Sequence, residues 1–159
     1  MIDFEINIAD GKVKLDNKYL FIQREDTFIV SELYKYLESK NKMQRLIPYH
    51  YIVNTVRWFD KKFELIIRPL CFSNFPFMVQ LIYKEGEYYQ AISDWNKVSN
   101  IDMLNKEVDF LYRWVAEEYD LGEPDAKEKH SVTWRFEWGD ITVCYDIKSF
   151  NYGIYITWN

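Results

Sequence analysis

Between Ser131 and Trp158 large apolar side chains recur at every second position: Val132, Trp134, Phe136 and Trp138, then Ile141, Val143 and Tyr145, then Tyr152, Ile154, Ile156 and Trp158. Successive side chains of an extended chain point to opposite faces, so a period of two specifies strands that bury one face. Gly139-Asp140 and Ser149 to Asn151 interrupt the pattern with turn residues. The reading is a three-strand meander over about 131–138, 141–147 and 152–158. Thr133, Arg135, Glu137, Thr142 and Asp146 fall on the alternate positions, so one face packs on a helix and the other meets water or a partner.

The same alternation opens the chain, where Ile2, Phe4, Ile6 and Ile8 flank Asp3, Glu5 and Asn7. Asp10-Gly11 suits a tight turn, Val13 and Leu15 continue the return strand, and a third strand is expected from Tyr19 to Gln23. Asp26 or Thr27 is positioned to cap a helix running to about Lys40, with Lys40, Lys42 and Arg45 as the cations of its C-terminal end. Four strands follow at about 51–59, 63–71, 77–83 and 88–93, joined by Asp60-Lys61-Lys62 and by Lys84 to Glu87. Pro69 and Pro76 mark a bend or a sheet edge.

A second helix is the most clearly written element. Ser99 with Asp102 resembles a capping box, Ile101, Leu104, Val108, Leu111, Val115 and Tyr119 form an apolar stripe, and Leu121-Gly122 with Pro124 ends it. Glu123 to His130 reads as a polar loop without periodicity. The fold class that results is α+β, with an antiparallel β-sheet of about 8–10 strands, two main helices and the closing meander. With 159 residues the chain is expected to be a single domain, residues 1–159. Its start lacks a basic, apolar leader and no run approaches a membrane span, so a cytoplasmic protein is expected, as monomer or homodimer.

Charge is unevenly placed. Residues 1–99 hold 14 basic against 13 acidic side chains, whereas residues 100–159 hold 6 against 12. Glu107, Asp109, Glu117, Glu118, Asp120, Glu123, Asp125 and Glu128 face only Arg113 and Lys127. Such a field repels phosphate backbones and attracts basic partners, so a protein partner is expected and nucleic acid is not. Tyr112 and Trp114 lie beside the helical stripe and next to Arg113, a combination typical of interface anchors. The candidate partner-binding set is therefore Asp109, Tyr112, Arg113, Trp114, Glu117, Glu118, Asp120, Glu123 and Asp125.

Catalytic signatures are thin. Two histidines and two cysteines, none at metal-ligand spacing, give no metal site, and 5 scattered glycines build no phosphate-cradling loop, so no cofactor is expected. Gly153-Ile154-Tyr155 spells the first triplet of a GIY-YIG nuclease without the second, and reads as strand. Asp146-Ile147-Lys148 has the ending of a magnesium nuclease signature, which is too short to carry that chemistry alone.

The order of elements and the closing hairpin from Ser131 to Asp146, strand, Gly139-Asp140, strand, Tyr145-Asp146, resemble small bacterial immunity proteins of the YezG-like group. That resemblance implies a non-enzymatic binding module that protects a cell by covering a toxin. The leading expectation is thus a protein that covers a basic partner through its acidic helix and loop. The alternatives are a small-ligand module with an aromatic-lined cavity between sheet and helix, and an enzyme using Asp146, Lys148 and a histidine.

Overall fold

The computed structural model describes residues 1–21, 24–40, 42–47, 50–70, 77–91, 94, 101–146, 148 and 151–159, with backbone alone at 46 and 47. Among the described residues eleven strands form one sheet. They are β1 (Ile2–Ile6), β2 (Val13–Leu15), β3 (Lys18–Leu20), β4 (Met43–Ile47), β5 (His50–Trp58), β6 (Lys61–Arg68), β7 (Met78–Tyr83), β8 (Ala126–Glu128), β9 (Ser131–Phe136), β10 (Gly139–Tyr145) and β11 (Tyr152–Trp158). The described helices are α1 (Glu25–Phe28), α2 (Glu32–Ser39), α3 (Glu87–Gln90) and α4 (Ile101–Tyr119). The strands lie in the order β3-β2-β1-β5-β6-β7-β11-β10-β9-β8, and β4 pairs with β5 off this path. The pairings are antiparallel except β1 with β5, where Ile2 faces Val56 and Asp3 faces Arg57 in parallel across a long crossover.

A bulge in β5 decides which way the middle of the sheet faces. Val53 pairs with Leu65 and Val56 with Phe63, so three steps on β5 oppose two on β6. The extra residue reverses parity, and Tyr51 and Val53 before it and Val56 and Trp58 after it are all buried. Tyr51 packs its ring on Phe28 of α1 and Tyr34 of α2, at centroid distances of 5.0 and 5.8 Å. Trp58 packs on Trp114 of α4 at 5.2 Å. One continuous core thus joins α1, α2 and α4 to the same sheet. Each large side chain wholly removed from water there contributes on the order of 2 kcal/mol.

The buried positions of α4 are Leu104, Glu107, Leu111, Trp114 and Val115, a face broader than the predicted stripe, while Ile101 is exposed. Its C-terminal end is closed by two bonds, Leu121 N to Ala116 O at 3.0 Å and Asp120 N to Glu117 O at 3.4 Å. This is the geometry that needs a left-handed residue just past the helix. Asp120 occupies it with φ 51°, so the stop falls on Asp120 and precedes the expected Gly122.

Several other expectations are corrected. The single helix from Asp26 to Lys40 is two helices, because Ser31 is extended, donates its hydroxyl to Phe28 O and accepts from Tyr34 N, which makes Ser31 the cap of α2. The basic stretch around Arg45 belongs to strand β4, where Arg45 reaches Glu25 at 3.3 Å and Glu25 in turn accepts the Tyr51 hydroxyl. The strand expected over 88–93 begins as helix α3, held by Gln90 Nε2 to Lys84 O at 2.6 Å and by the burial of Tyr88. Glu123 to His130 contains β8, paired with β9 from Ala126 to Glu128. The turn read at Asp60-Lys61-Lys62 is centred on Phe59-Asp60, since Trp58 pairs with Lys61. Ser99, Cys71, Pro76 and Trp95 lie outside the described residues.

The closing meander reaches back to the first hairpin. Trp138 Nε1 donates to Ile8 O and Trp158 Nε1 to Gly11 O, both at 2.7 Å, so the loop after β1 is clamped by the closing meander. Gly11 has φ 73°, and a Cβ there would lie 2.3 Å from Trp138 Cδ2. Replacing Gly11 with alanine forces both a backbone and an indole shift. Gly11→Ala is expected to lower stability by about 2 kcal/mol or more, read from the midpoint of denaturant unfolding.

Candidate functional site: a cleft at the carboxyl end of the long helix

A cleft of about 390 Å³ opens where β1, the end of β5 and the end of α4 converge. Phe4 and Trp58 are buried in its base, and Trp58 Nε1 donates to the Tyr119 hydroxyl at 2.7 Å. Burial pushes the Tyr119 phenol up to about 12, with hydrogen bonds from Trp58 and the Ile6 backbone acting against the shift. It therefore stays protonated at neutral pH. Asp3, Glu5, Ile6, Arg57 and Phe59 complete the lining. Arg57 is held by Asp3 at 2.8 Å, while Glu5 is exposed.

Phe59 is the unusual member. It has φ 54° in the two-residue connection between β5 and β6, a conformation that a bulky side chain adopts at a penalty of about 1–2 kcal/mol. Its ring is 46% exposed and lies 5.4 Å from Tyr119 and 6.1 Å from Trp114. Phe110 on α4 is 45% exposed, and the Lys61 ammonium sits over both Phe110 and Trp114 at 5.3 and 5.5 Å. Phe59 and Tyr119 are thus the aromatic wall of the cleft, while Phe110 lies outside its lining, further back along α4.

The electrostatics there favour a cation. The exposed carbonyls of a helix end carry partial negative charge that lysine or arginine usually offsets. The last turn of α4 has no basic residue, and Glu117, Glu118 and Asp120 are exposed around it. Helix end and carboxylates attract positive charge together, while the faces of Phe110 and Trp114 already hold the Lys61 ammonium and Arg57 in the lining is paired with Asp3.

The predicted site residues divide into groups. Glu117, Glu118 and Asp120 surround the helix end beside the cleft. Trp114 is only 8% exposed and belongs to the core, with its ring against Trp58 and Phe63. Asp109 pairs with Arg113 at 3.2 Å on the exposed side of α4. Tyr112 packs on Trp134 at 6.3 Å and lies 4.9 Å under the Lys127 ammonium. The groove beside it measures about 130 Å³. Glu123 is exposed. Asp125 staples an edge of the sheet, its carboxylate accepting from Arg135 N at 2.7 Å and its amide donating to Thr133 O at 2.9 Å. Asp3, Glu5, Trp58, Phe59, Phe110 and Tyr119 were not in the predicted set. None of them is marked in the sequence, where Phe59 falls at the end of the strand expected over 51–59 and only the structure places it in the turn.

Between sheet and helix, where an aromatic cavity was the alternative expectation, Trp58, Phe63 and Trp114 pack ring against ring. No group of three or more His, Cys, Asp or Glu side chains suited to a metal occurs among the described residues. Cys144 is free and half-buried, and burial raises its thiol to about 11, so it is no thiolate at neutral pH. The Lys148 amide donates to Asp146 Oδ1 in an exposed turn. His130 lies on Tyr145, and its buried Nδ1 has no hydrogen-bond partner. Among the described residues no helix is long and apolar enough to cross a membrane. Comparison with family models, curated proteins and solved structures gave no match.

One buried ionisable group sits on the opposite stretch of α4. Glu107 is 8% exposed, its Oε1 has no hydrogen-bond partner, and burial raises its carboxyl to about 8. Gly86 makes room for it, since a Cβ at Gly86 would fall 2.0 Å from Oε1. A carboxyl raised by folding binds more protons in the folded state than in the unfolded one between its unfolded value, about 4.3, and about 8. Stability from this group is complete below that window and is lost as pH rises through it. The expected outcome is a drop on the order of 3 kcal/mol between pH 4 and pH 8 in denaturant unfolding, largely abolished in Glu107→Gln.

Proposed function

We propose that this chain is a non-enzymatic binding protein that takes a cationic segment of a protein partner into the cleft at the end of α4. The observation that carries the reading is Phe59, held in a left-handed turn with its ring half exposed beside Tyr119. A turn that glycine or asparagine would close more favourably keeps a phenylalanine, and backbone strain of this kind concentrates at functional sites. Phe59 and Phe110 supply apolar contact, and the phenol and indole beneath are rigid. Glu5, Glu117, Glu118 and Asp120 steer a basic partner toward them and raise the association rate at low salt.

The specific form of this proposal is an immunity protein that covers a basic toxin, the role implied by the likeness of the closing hairpin to the YezG-like group. In that form the partner is encoded by the same cell and its basic active surface is what the cleft and helix end occlude.

The test is capture from the native host with tagged chain, comparing wild type with Phe59→Asn and with Glu117→Gln/Glu118→Gln. Wild type is expected to retain one basic protein near equal stoichiometry at low salt. Phe59→Asn should lose it while remaining within about 1 kcal/mol of wild-type stability, because relief of backbone strain offsets the lost ring contacts. Recovery of no protein partner at any salt contradicts the proposal.

A further inference from the structure

At the bulge of β5 a second concavity of about 580 Å³ is lined, among the described residues, by Met1, Lys42, Asn54, Thr55, Lys62 and Lys84. It shares no residue with the acidic cleft. We propose that it binds a small phosphate-bearing anion. Every ionisable side chain in this lining is a lysine, in a chain whose acidic residues outnumber its basic ones by 25 to 20. Elsewhere Lys12, Lys18, Lys61, Arg24, Arg45, Arg57 and Arg113 each stand within 3.8 Å of a carboxylate oxygen. Among the described residues Lys42, Lys62 and Lys84 have no such partner, which is also true of Lys14, Lys35 and Lys127, and what sets the three apart is that they line one concavity. The carboxylate nearest by hydrogen bonding, Glu85, accepts from the Lys62 backbone amide at 2.8 Å and is not part of the lining.

The bulge gives this cluster a fixed point. Where β5 carries its extra residue, Lys84 Nζ donates to Asn54 O at 2.9 Å and to Thr55 Oγ1 at 2.7 Å. Two of the three ammonium protons are thereby committed, and the third remains for an acceptor. Bulges are found beside binding sites because they re-aim side chains in this way. An ammonium is a compact point charge with several donors, suited to the oxygens of a phosphate. Together they carry three positive charges, enough to balance most of the charge on pyrophosphate, and the volume is that of a small-molecule site.

The probe is pyrophosphate, titrated into the ¹⁵N-labelled chain against sodium chloride of equal ionic strength. Saturable amide shifts are expected at residues 54, 55, 62 and 84, with affinity falling about tenfold in each of Lys42→Gln and Lys62→Gln. Both lysines are exposed, so the thermal midpoint without pyrophosphate should not move. Lys84→Gln serves as a third variant, expected to weaken binding and also to lower stability through the bulge. Shifts that chloride reproduces, or affinity unchanged in Lys42→Gln and Lys62→Gln, overturn the proposal. Binding of an oligonucleotide with no response to pyrophosphate also overturns it, since the site would then track a polymer backbone.

Discussion

Trp58 holds the architecture together. Its indole is 1% exposed and touches Phe4 of β1 at 5.0 Å, Phe63 of β6 at 5.8 Å, and Trp114 and Tyr119 of α4 at 5.2 and 6.1 Å. Its Nε1 is satisfied by the Tyr119 hydroxyl, so a polar atom deep in the core is not left unpaired. Through this one side chain the parallel pairing of β1 with β5, the docking of α4 and the position of the helix end become a single arrangement. The bulge before it turns Trp58 inward, and the residue after it, Phe59, is forced outward into the turn. The cleft is a by-product of that arrangement: it lies where the helix ends one turn past Trp114 and the sheet continues.

The same arrangement separates packing from recognition along α4. Trp114 and Leu111 serve the core, Phe110 faces out beside them, and Glu117 and Glu118 come to the surface at the end. A helix end with no basic residue in its last turn, with acids around it and closed by Asp120 in a left-handed conformation, lowers local stability in three ways at once. Sequences keep such locally unfavourable choices where function uses them. The buried carboxyl of Glu107 is another unfavourable choice, but it faces Gly86 and the tyrosines around α3, away from the cleft.

The meander from Ser131 to Trp158 was legible because strict alternation admits one face assignment, but its first turn is corrected: Gly139 and Asp140 pair with Phe136 and Arg135 inside β10, and Glu137-Trp138 makes the connection. The apolar stripe of α4 was legible for the same reason at a period of 3.6. Strand β4 was not: Lys40 and Lys42 do belong to the end of α2, where the Lys42 amide donates to Leu37 O, but Arg45 is in a strand that only pairing with β5 defines. Helix α3 was hidden because Tyr88 and Tyr89 suit strands, and burial of Tyr88 against Tyr152 at 4.4 Å overrides that preference. The acidic half of the candidate site could be read from charge alone. The cleft could not, because residues 3–6, 57–59 and 119 are joined only by the parallel pairing and by Trp58. Trp114 was misplaced because a helix buried against a sheet presents a wider face than a narrow stripe.

The central claim is that partner contact is focused on the cleft and helix end, and hydrogen exchange of the chain with and without its captured partner tests it most directly. Protection is predicted for amides in 3–6, 57–59 and 117–122, with little change at β8 or along the Arg113 face of α4. Protection confined to β8, to the groove by Tyr112, or to the sheet surface carrying Thr133 and Thr142 would contradict the account.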